Sequence, residues 1–392
     1  MKCEMRKFGN LFGCSASEAS RLEACVPRRD FRISNFAFPL LACCLMITDA
    51  IKKVVDRKDL TSAEAEAVLE EIMTGQCTDS QIASLLTALR MKGETVEEVT
   101  GFARVMRSKA TQIRPRPVGA SIGGTERESL IDTCGTGGDA SGSFNVSTAT
   151  AFIVAGAGLR VAKHGNRSAS SQCGSADVVE ALGIKLDLAP ERIGECIDAI
   201  GIGFLHAPLL HGAMKYVAPA RKQMGIRTIF NMLGPLTNPA GADAQVIGVY
   251  AAHLTELLAQ VLGELGSRRA LVVHGSDGLD EISISGESKI TELKNGKVST
   301  YSIRPEDFGL KRAPLKDIRG GDALQNAGII KAILNGERGP RRDIVLLNGA
   351  AALLAGSLAA DLNEGIELAS RSIDGGAALE KLDLLVEFSN RI

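Results

Sequence analysis

The sequence predicts an α/β protein, with a small all-helical N-terminal domain and a larger α/β domain built on a central, mostly parallel sheet. Three observations carry this prediction. Residues 48–110 repeat apolar positions at helical spacing. Residues 128–183 hold two successive units of short apolar strand, polar loop and helix. Further on, 246–250 and 270–273 read as short strands flanking a helix over 254–265, and helices dominate from Gly321 to the end.

In the helical region the apolar sets are Val68, Leu69 and Ile72; Ile82, Leu85, Leu86 and Leu89; and Val96, Val99, Phe102 and Val105. Thr61 with Glu64, Thr78 with Gln81 and Thr95 with Glu98 have the spacing of capping boxes, and Gly75 and Gly93 stand where helices end. Pro115, Pro117, Gly119, Gly123 and Gly124 mark 113–128 as a linker.

In the first strand-loop-helix unit, Leu130-Ile131-Asp132 runs into Thr133-Cys134-Gly135-Thr136-Gly137-Gly138-Asp139, and Phe144-Asn145-Val146-Ser147-Thr148 opens a helix. Glycines let the backbone turn at positive φ and let a ligand approach the amides, while the first helical N–H groups lack partners. Such a turn attracts an anion, above all phosphate. The second unit places Lys163, His164, Gly165, Asn166, Arg167 and a row of serines after its strand, and Gly183 closes its helix. If the two strands are parallel neighbours, both loops open at the carboxyl edge of one sheet, where open α/β sheets bind ligands. One glycine-rich turn is more often a tight connection than a site. Two facing one cleft, with two cations between them, favour a phosphate site.

Gly135 to Ala140 fits G-x-G-x-x-A by letter, which raises a dinucleotide reading. Against it, the segment from Asp139 to Gly142 prolongs the loop, and the second strand ends at Lys163 rather than at an acid for the ribose. A 2′-phosphate could still use that lysine, so this reading is disfavoured rather than closed. No P-loop sequence occurs.

Composition narrows the classes. Among 392 residues, 45 basic and 46 acidic side chains give a formal charge of −1, so no global field recruits nucleic acid or anionic membrane. Tryptophan is absent and aromatics are 4%, which argues against base-stacking platforms. The cysteines are nine in number, an odd count, and form no C-x-x-C pair, as expected of a reduced, cytoplasmic chain. His206 and His211 lack the i, i+4 relation of a helical metal pair.

The rest of the chain reads as a helix over 190–200, a helix-like segment over 212–224 that holds Arg221, and a rigid Pro/Gly-punctuated loop over 231–239. Asp280 and Glu281 follow the strand at 270–273. Adjacent side chains in extended backbone point to opposite faces, which suits two neighbouring Mg²⁺ ions better than one. Alone, an acidic turn is solvated surface and Arg221 is a helix-surface arginine; beside two phosphate loops, the acidic pair is a metal candidate.

GTGGD (135–139), FNVST (144–148), KHGNRSASS (163–171) and GSADVVEALG (174–183), in this order and spacing, resemble the anthranilate phosphoribosyltransferase family, the second enzyme of the tryptophan branch. The resemblance runs from about Thr48 to the C-terminus and implies a nucleoside phosphorylase/phosphoribosyltransferase fold. It implies a phosphoribosyl pyrophosphate pocket of Gly135, Gly138, Asp139, Ser143, Asn145, Val146, Ser147, Thr148 and Ser175, with the loop Lys163, His164, Gly165, Asn166, Arg167, Ser168, Ala169, Ser170 and Ser171. It further implies anthranilate contacts at Gly135, Asn166 and Arg221, and two Mg²⁺ ions, one on Ser147 and Glu281 and one on Asp280 and Glu281. No general base is expected, because an aromatic amine is neutral and already nucleophilic near pH 7. A homodimer through the helical domain is implied, with no nucleic acid or membrane partner. The implied division is an extension at 1–45, a helical domain at 46–115 joined by a segment near 208–226, and the donor-binding domain at 116–392.

Two positions depart from the family pattern on the acceptor side: His206 replaces a large apolar residue, and Ala220 replaces valine before Arg221. Residues 1–45 do not conform either. They hold five cysteines, and their apolar run is too short to span a bilayer. The preferred reading is an extension upstream of a native start at Met46. An organellar leader is the alternative, against which Glu4, Glu18, Glu23 and Asp30 count.

Overall fold

The computed structural model describes residues 46–115, 129–139, 141–168 and 172–391. The expected extension, most of the expected linker, and Ala169, Ser170 and Ser171 lie outside the described residues.

Four helices open the described chain: Ile47–Val55, Ser62–Met73, Asp79–Lys92 and Val96–Lys109. The last three each begin with the expected capping box, in which the threonine hydroxyl accepts from the N3 amide and the N3 side chain accepts from the threonine amide. The apolar stripes face one another, with Leu69, Ile72, Leu85, Leu89 and Phe102 fully buried. Glu98 is buried too. It accepts from the Leu60 amide (2.9 Å) and from Lys92 (3.0 Å), so both oxygens are satisfied.

The sheet has seven strands: β1 (Leu130–Gly135), β2 (Arg160–Gly165), β3 (Ile202–His206), β4 (Ala244–Gly248), β5 (Arg269–Gly275), β6 (Ser288–Lys294) and β7 (Lys297–Ile303). Their order is β3-β2-β1-β4-β5-β6-β7. The first five are parallel, and β6 and β7 add an antiparallel hairpin. The chain steps outward from β1 through β2 to β3, then returns to the other side of β1 as β4. That reversal creates a crevice beyond the carboxyl ends of β1 and β4.

One apolar core packs the four N-terminal helices, the helices Phe230–Leu236 and Leu254–Glu264, and side chains such as Ile247 and Val272 from β4 and β5. A second gathers the helices Val146–Gly156, Pro340–Ala355, Leu362–Asp374 and Ala377–Asn390 with Ile131, Val161, Val246 and Leu271, and a small third one joins Ala162, Ile197 and Leu205. Among the described residues no helix is long and apolar enough to cross a membrane, and Cys77, Cys134 and Cys196 are free thiols.

Three local expectations are corrected. The span 231–239 is not all loop: Phe230–Leu236 is a helix with Pro235 in its last turn. Buried Ile229, Phe230, Met232, Leu233 and Leu236 recur at helical spacing. A proline so near the end forfeits only a terminal ladder bond, so packing prevails. Strands β4 and β5 begin at Ala244 and Arg269, ahead of the apolar runs, because Gln245 finds a buried partner in the Pro235 carbonyl and Arg269 pairs with Glu292. The β6–β7 hairpin was not expected. It turns on Asn295 and Gly296, both at positive φ (51° and 74°).

Candidate active site

The crevice is lined by the loops that follow β1, β2 and β5. The loop after β1 is anchored residue by residue. The Thr136 amide donates to the Gly248 carbonyl (2.8 Å), and the Gly137 amide donates to Asp280 Oδ2 (2.9 Å). Glycine is needed on both sides of Asp280. A Cβ on Gly248 would lie 1.5 Å from the Asp280 carbonyl oxygen, and one on Gly135 would lie 2.6 Å from its carboxylate. Glu281 reaches the other half of the same unit, accepting from the Ser147 amide (3.1 Å) in the first turn of the helix Val146–Gly156. The two acids therefore diverge as expected, one to the glycine loop and one to the helix start.

The charges are crowded. Burial, and then the Asp139 carboxylate, push Asp280 up to about 7. Burial and then Asp280 hold Glu281 well above the carboxylate range, with Lys163 opposing. Asp139 Oδ2 is buried with no hydrogen-bond partner among the described residues. Among the described residues no three histidine, cysteine or acidic side chains converge as a metal cage. An ion here would be completed by a hydroxyl, water and substrate oxygens, the donor set that magnesium favours.

Lys163 lies at the end of β2 and is buried. Its ammonium donates to the Thr133 carbonyl and to Ser147 Oγ (3.3 Å), beneath the loop rather than out in the crevice. The neighbouring His164 amide donates to Asp132 Oδ1 (3.1 Å), while Asn238 donates to Asp132 Oδ2 and to the Ala162 carbonyl (2.8 Å each). Asp132 and Asn238 were missed by sequence reasoning, although an acid inside an apolar strand is a signal that something must satisfy it. They tie β1 to β2 directly under the two loops.

After β2, the Asn166 amide donates to Ser175 Oγ (3.2 Å), and that hydroxyl donates back to the Asn166 carbonyl (3.3 Å). Arg167 is exposed and paired with Asp177 (2.8 Å) and Glu180 (2.9 Å), and the Ser168 amide donates to Asp177. Ser143 bridges in antiparallel fashion to Arg319, Asn145 Oδ1 accepts from Asn326 (2.9 Å), and Val146 and Thr148 are buried. The expected donor residues within the described chain thus sit on the two adjoining loops and the helix start.

On the opposite side, His164 and His211 are both buried with Nε2 atoms 3.2 Å apart. Burial, then His211, lower His164 to about 3, and burial lowers His211 to about 4. Arg221, in the helix Ala218–Met224, lies over the Phe230 ring with 5.4 Å to its centroid. Among the described residues no hydrogen bond or ion pair engages its guanidinium, and no direct bond joins it to Gly135 or Asn166. His206 ends β3 in register with Gly165, and its Nε2 is buried without a partner among the described residues. His211 was passed over in the sequence because no ligand spacing marks it.

The profile of the glycosyl transferase family, helical bundle domain, matches residues 48–110, and that of the glycosyl transferase family, a/b domain, matches 127–379. An anthranilate phosphoribosyltransferase of Desulforamulus reducens is 56% identical over 347 residues, which are 88% of this chain and 98% of the relative. The chain belongs to the anthranilate phosphoribosyltransferase family. Another member, from Symbiobacterium thermophilum, is 57% identical over 87% of this chain and 97% of its own length. The crystal structure of the Thermus thermophilus anthranilate phosphoribosyltransferase superposes with a TM-score of 0.81 at 43% identity, covering 88% of this chain and all of that one. That of the Saccharomyces cerevisiae anthranilate phosphoribosyltransferase, in complex with phosphoribosyl pyrophosphate and Mg, superposes at 0.78 with 28% identity, covering 88% and 98%. The helical domain, the α/β domain with its mostly parallel sheet and the family resemblance are all borne out.

Proposed function

We propose that this chain transfers the 5-phosphoribosyl group of phosphoribosyl pyrophosphate to the amine of anthranilate, releasing pyrophosphate, as a step of tryptophan biosynthesis. The observation that carries this reading is the pairing of one carboxylate with each half of the first loop unit, Asp280 on the Gly137 amide and Glu281 on the Ser147 amide, at the topological switch point. The donor would occupy the glycine loop, Ser143, the Asn145–Thr148 helix start and the loop from Lys163 to Ser171 with Ser175. Two Mg²⁺ ions would be held by Ser147 with Glu281 and by Asp280 with Glu281. The crowded carboxylates and the unpartnered Asp139 oxygen fit that role, since such a set lowers its own repulsion by taking up cations. When bound, Mg²⁺ neutralises charge gathering on the departing pyrophosphate.

The residues of the chain orient the reaction. The amides of Gly138 and Asp139, which make no hydrogen bond among the described residues, would face the anion, while those of Thr136, Gly137 and Ser147 are held by protein acceptors. The C1–O bond breaks with its electron pair on pyrophosphate, the amine lone pair forms the C1–N bond, and the nitrogen then sheds a proton to water. We assign no general base. Arg221 would hold the anthranilate carboxylate, with Gly135 and Asn166 beside the ring. The domain limits 46–115 (joined by 208–226) and 116–392, the extension at 1–45, a homodimer through the helical domain and a cytoplasmic location belong to the same proposal.

Pyrophosphate release measured with anthranilate, with uridine and with no acceptor tests the reading. Magnesium-dependent release with anthranilate alone is expected. Release with uridine instead, or none with anthranilate, overturns it.

A further inference from the structure

Arg227 has no place in the site described so far. It lies between the helix Ala218–Met224, which carries Arg221, and the helix Phe230–Leu236. Its side chain is exposed, yet it is held at two points. The guanidinium donates to the Gly138 carbonyl and lies over the Tyr250 ring, 4.4 Å from the centroid. Tyr250, two residues beyond β4, uses its own amide to grip the same loop through Thr136 Oγ1 (3.2 Å).

The Gly138 carbonyl belongs to a peptide that can easily turn over. Gly137 and Gly138 both have positive φ (67° and 76°), and glycine crosses between φ basins at little cost. Because a peptide unit is planar and trans, its C=O and N–H point in opposite directions. Fixing the Gly138 carbonyl on Arg227 therefore sends the Asp139 N–H to the opposite side. If the unit turned over, a carbonyl oxygen would take the place of that N–H. For an anion the difference is one between a donor and a repelling lone pair.

We infer that Arg227, seated on Tyr250, is a positioning residue that locks the Gly138–Asp139 peptide with its amide toward the pyrophosphate of the donor and so sets donor affinity. This rests on the proposed donor site. The approach is close, since a Cβ on Gly138 would come within 3.3 Å of the Arg227 guanidinium.

The full chain with Arg227→Ala, Arg227→Lys, Tyr250→Leu and Tyr250→Phe tests the lock. The readouts are both Michaelis constants, kcat, melting temperature and peptide-level hydrogen exchange over 136–139 without ligand. Losing one charge-assisted hydrogen bond should raise the KM of phosphoribosyl pyrophosphate about tenfold in Arg227→Ala, with the anthranilate KM within about twofold and melting unchanged. Exchange over 136–139 should quicken, Arg227→Lys should recover part of the loss, and Tyr250→Phe should behave as the parent. Tyr250→Leu combined with Arg227→Ala should be no worse than Arg227→Ala alone. Unchanged loop exchange in Arg227→Ala, or equal rises in both Michaelis constants, overturns the lock. If the parent chain does not turn over phosphoribosyl pyrophosphate at all, the functional reading fails, while the exchange measurement still decides the lock.

Discussion

Replacing Arg221 with alanine should weaken the acceptor and spare the donor. The guanidinium is largely enclosed, and burial lowers its pKa. Its one contact of note among the described residues is the Phe230 face, so it is a charge held ready without a carboxylate. A bound benzoate-type acid would supply the missing partner in a two-pronged geometry. Charge-assisted hydrogen bonds contribute roughly 1.5–3 kcal/mol each, and about 1.4 kcal/mol is tenfold, so the anthranilate KM should rise about 10- to 100-fold. The donor KM should stay within about twofold, because the amides and acids of the donor side lie on other elements. Arg221→Lys keeps the charge and loses the fork, so it should recover only part of the loss. Initial rates over a grid of both substrates give the two constants, and a melting curve checks the fold. Equal rises in both constants would refute the assignment. An unchanged acceptor constant would do so more severely and would direct attention to His206, whose buried Nε2 lacks a partner among the described residues.

The remaining predictions concern charge and boundaries. Asp280→Asn with Glu281→Gln should abolish magnesium-dependent turnover. Both acids have folded pKa values raised above their unfolded ones, so in metal-free protein Asp280 costs stability as pH rises from about 4 through about 7, and Glu281 adds a cost of the same sign. The double amide should therefore melt higher than the parent at pH 8 without metal, and a lower melting point there would count against the crowding argument. His164 and His211 are depressed to about 3 and about 4, so their contribution is intact above about pH 6.5 and is lost as pH falls toward 4. Melting temperature should drop across that window, and His211→Asn should flatten the drop; an unaltered slope would place the pH sensitivity elsewhere. The chain begun at Met46 should keep full activity and melting temperature, because every motif lies beyond that point, and a large loss of either would make residues 1–45 integral.

Local signals in the sequence proved the most legible. Each threonine capping box pairs residues three apart, so nothing distant can contradict it, and all three form. The Phe230–Leu236 helix was hidden because Gly234 and Pro235 punctuate it. Its apolar spacing was present, but only the packing of Phe230, Met232 and Leu233 against the N-terminal helices makes that spacing decisive. The β6–β7 hairpin carried an Asn-Gly turn that was open to reading. Yet β7 is largely exposed, with Val298 the one apolar residue between Lys297 and Ser299, so no hydrophobic alternation drew attention to it.

At the site, chemistry was legible and support was not. Sequence spacing placed Asp280 and Glu281 on opposite sides of an extended turn, and each does reach a different half of the first loop unit. Nothing in the spacing shows that Asp139 crowds them, or that Lys163 is turned inward to the Thr133 carbonyl and Ser147, because both facts depend on how β1, β2 and the turn after β5 meet in space. The consequence is a charge balance that no single motif contains. Burial and mutual repulsion push Asp280 and Glu281 up, and Lys163 opposes the shift of Glu281 alone. Both acids would ionise more readily with cations beside them. Under the proposed function, the crevice would take a metal-bound pyrophosphate rather than a bare anion, with its acids setting the charge of what it accepts.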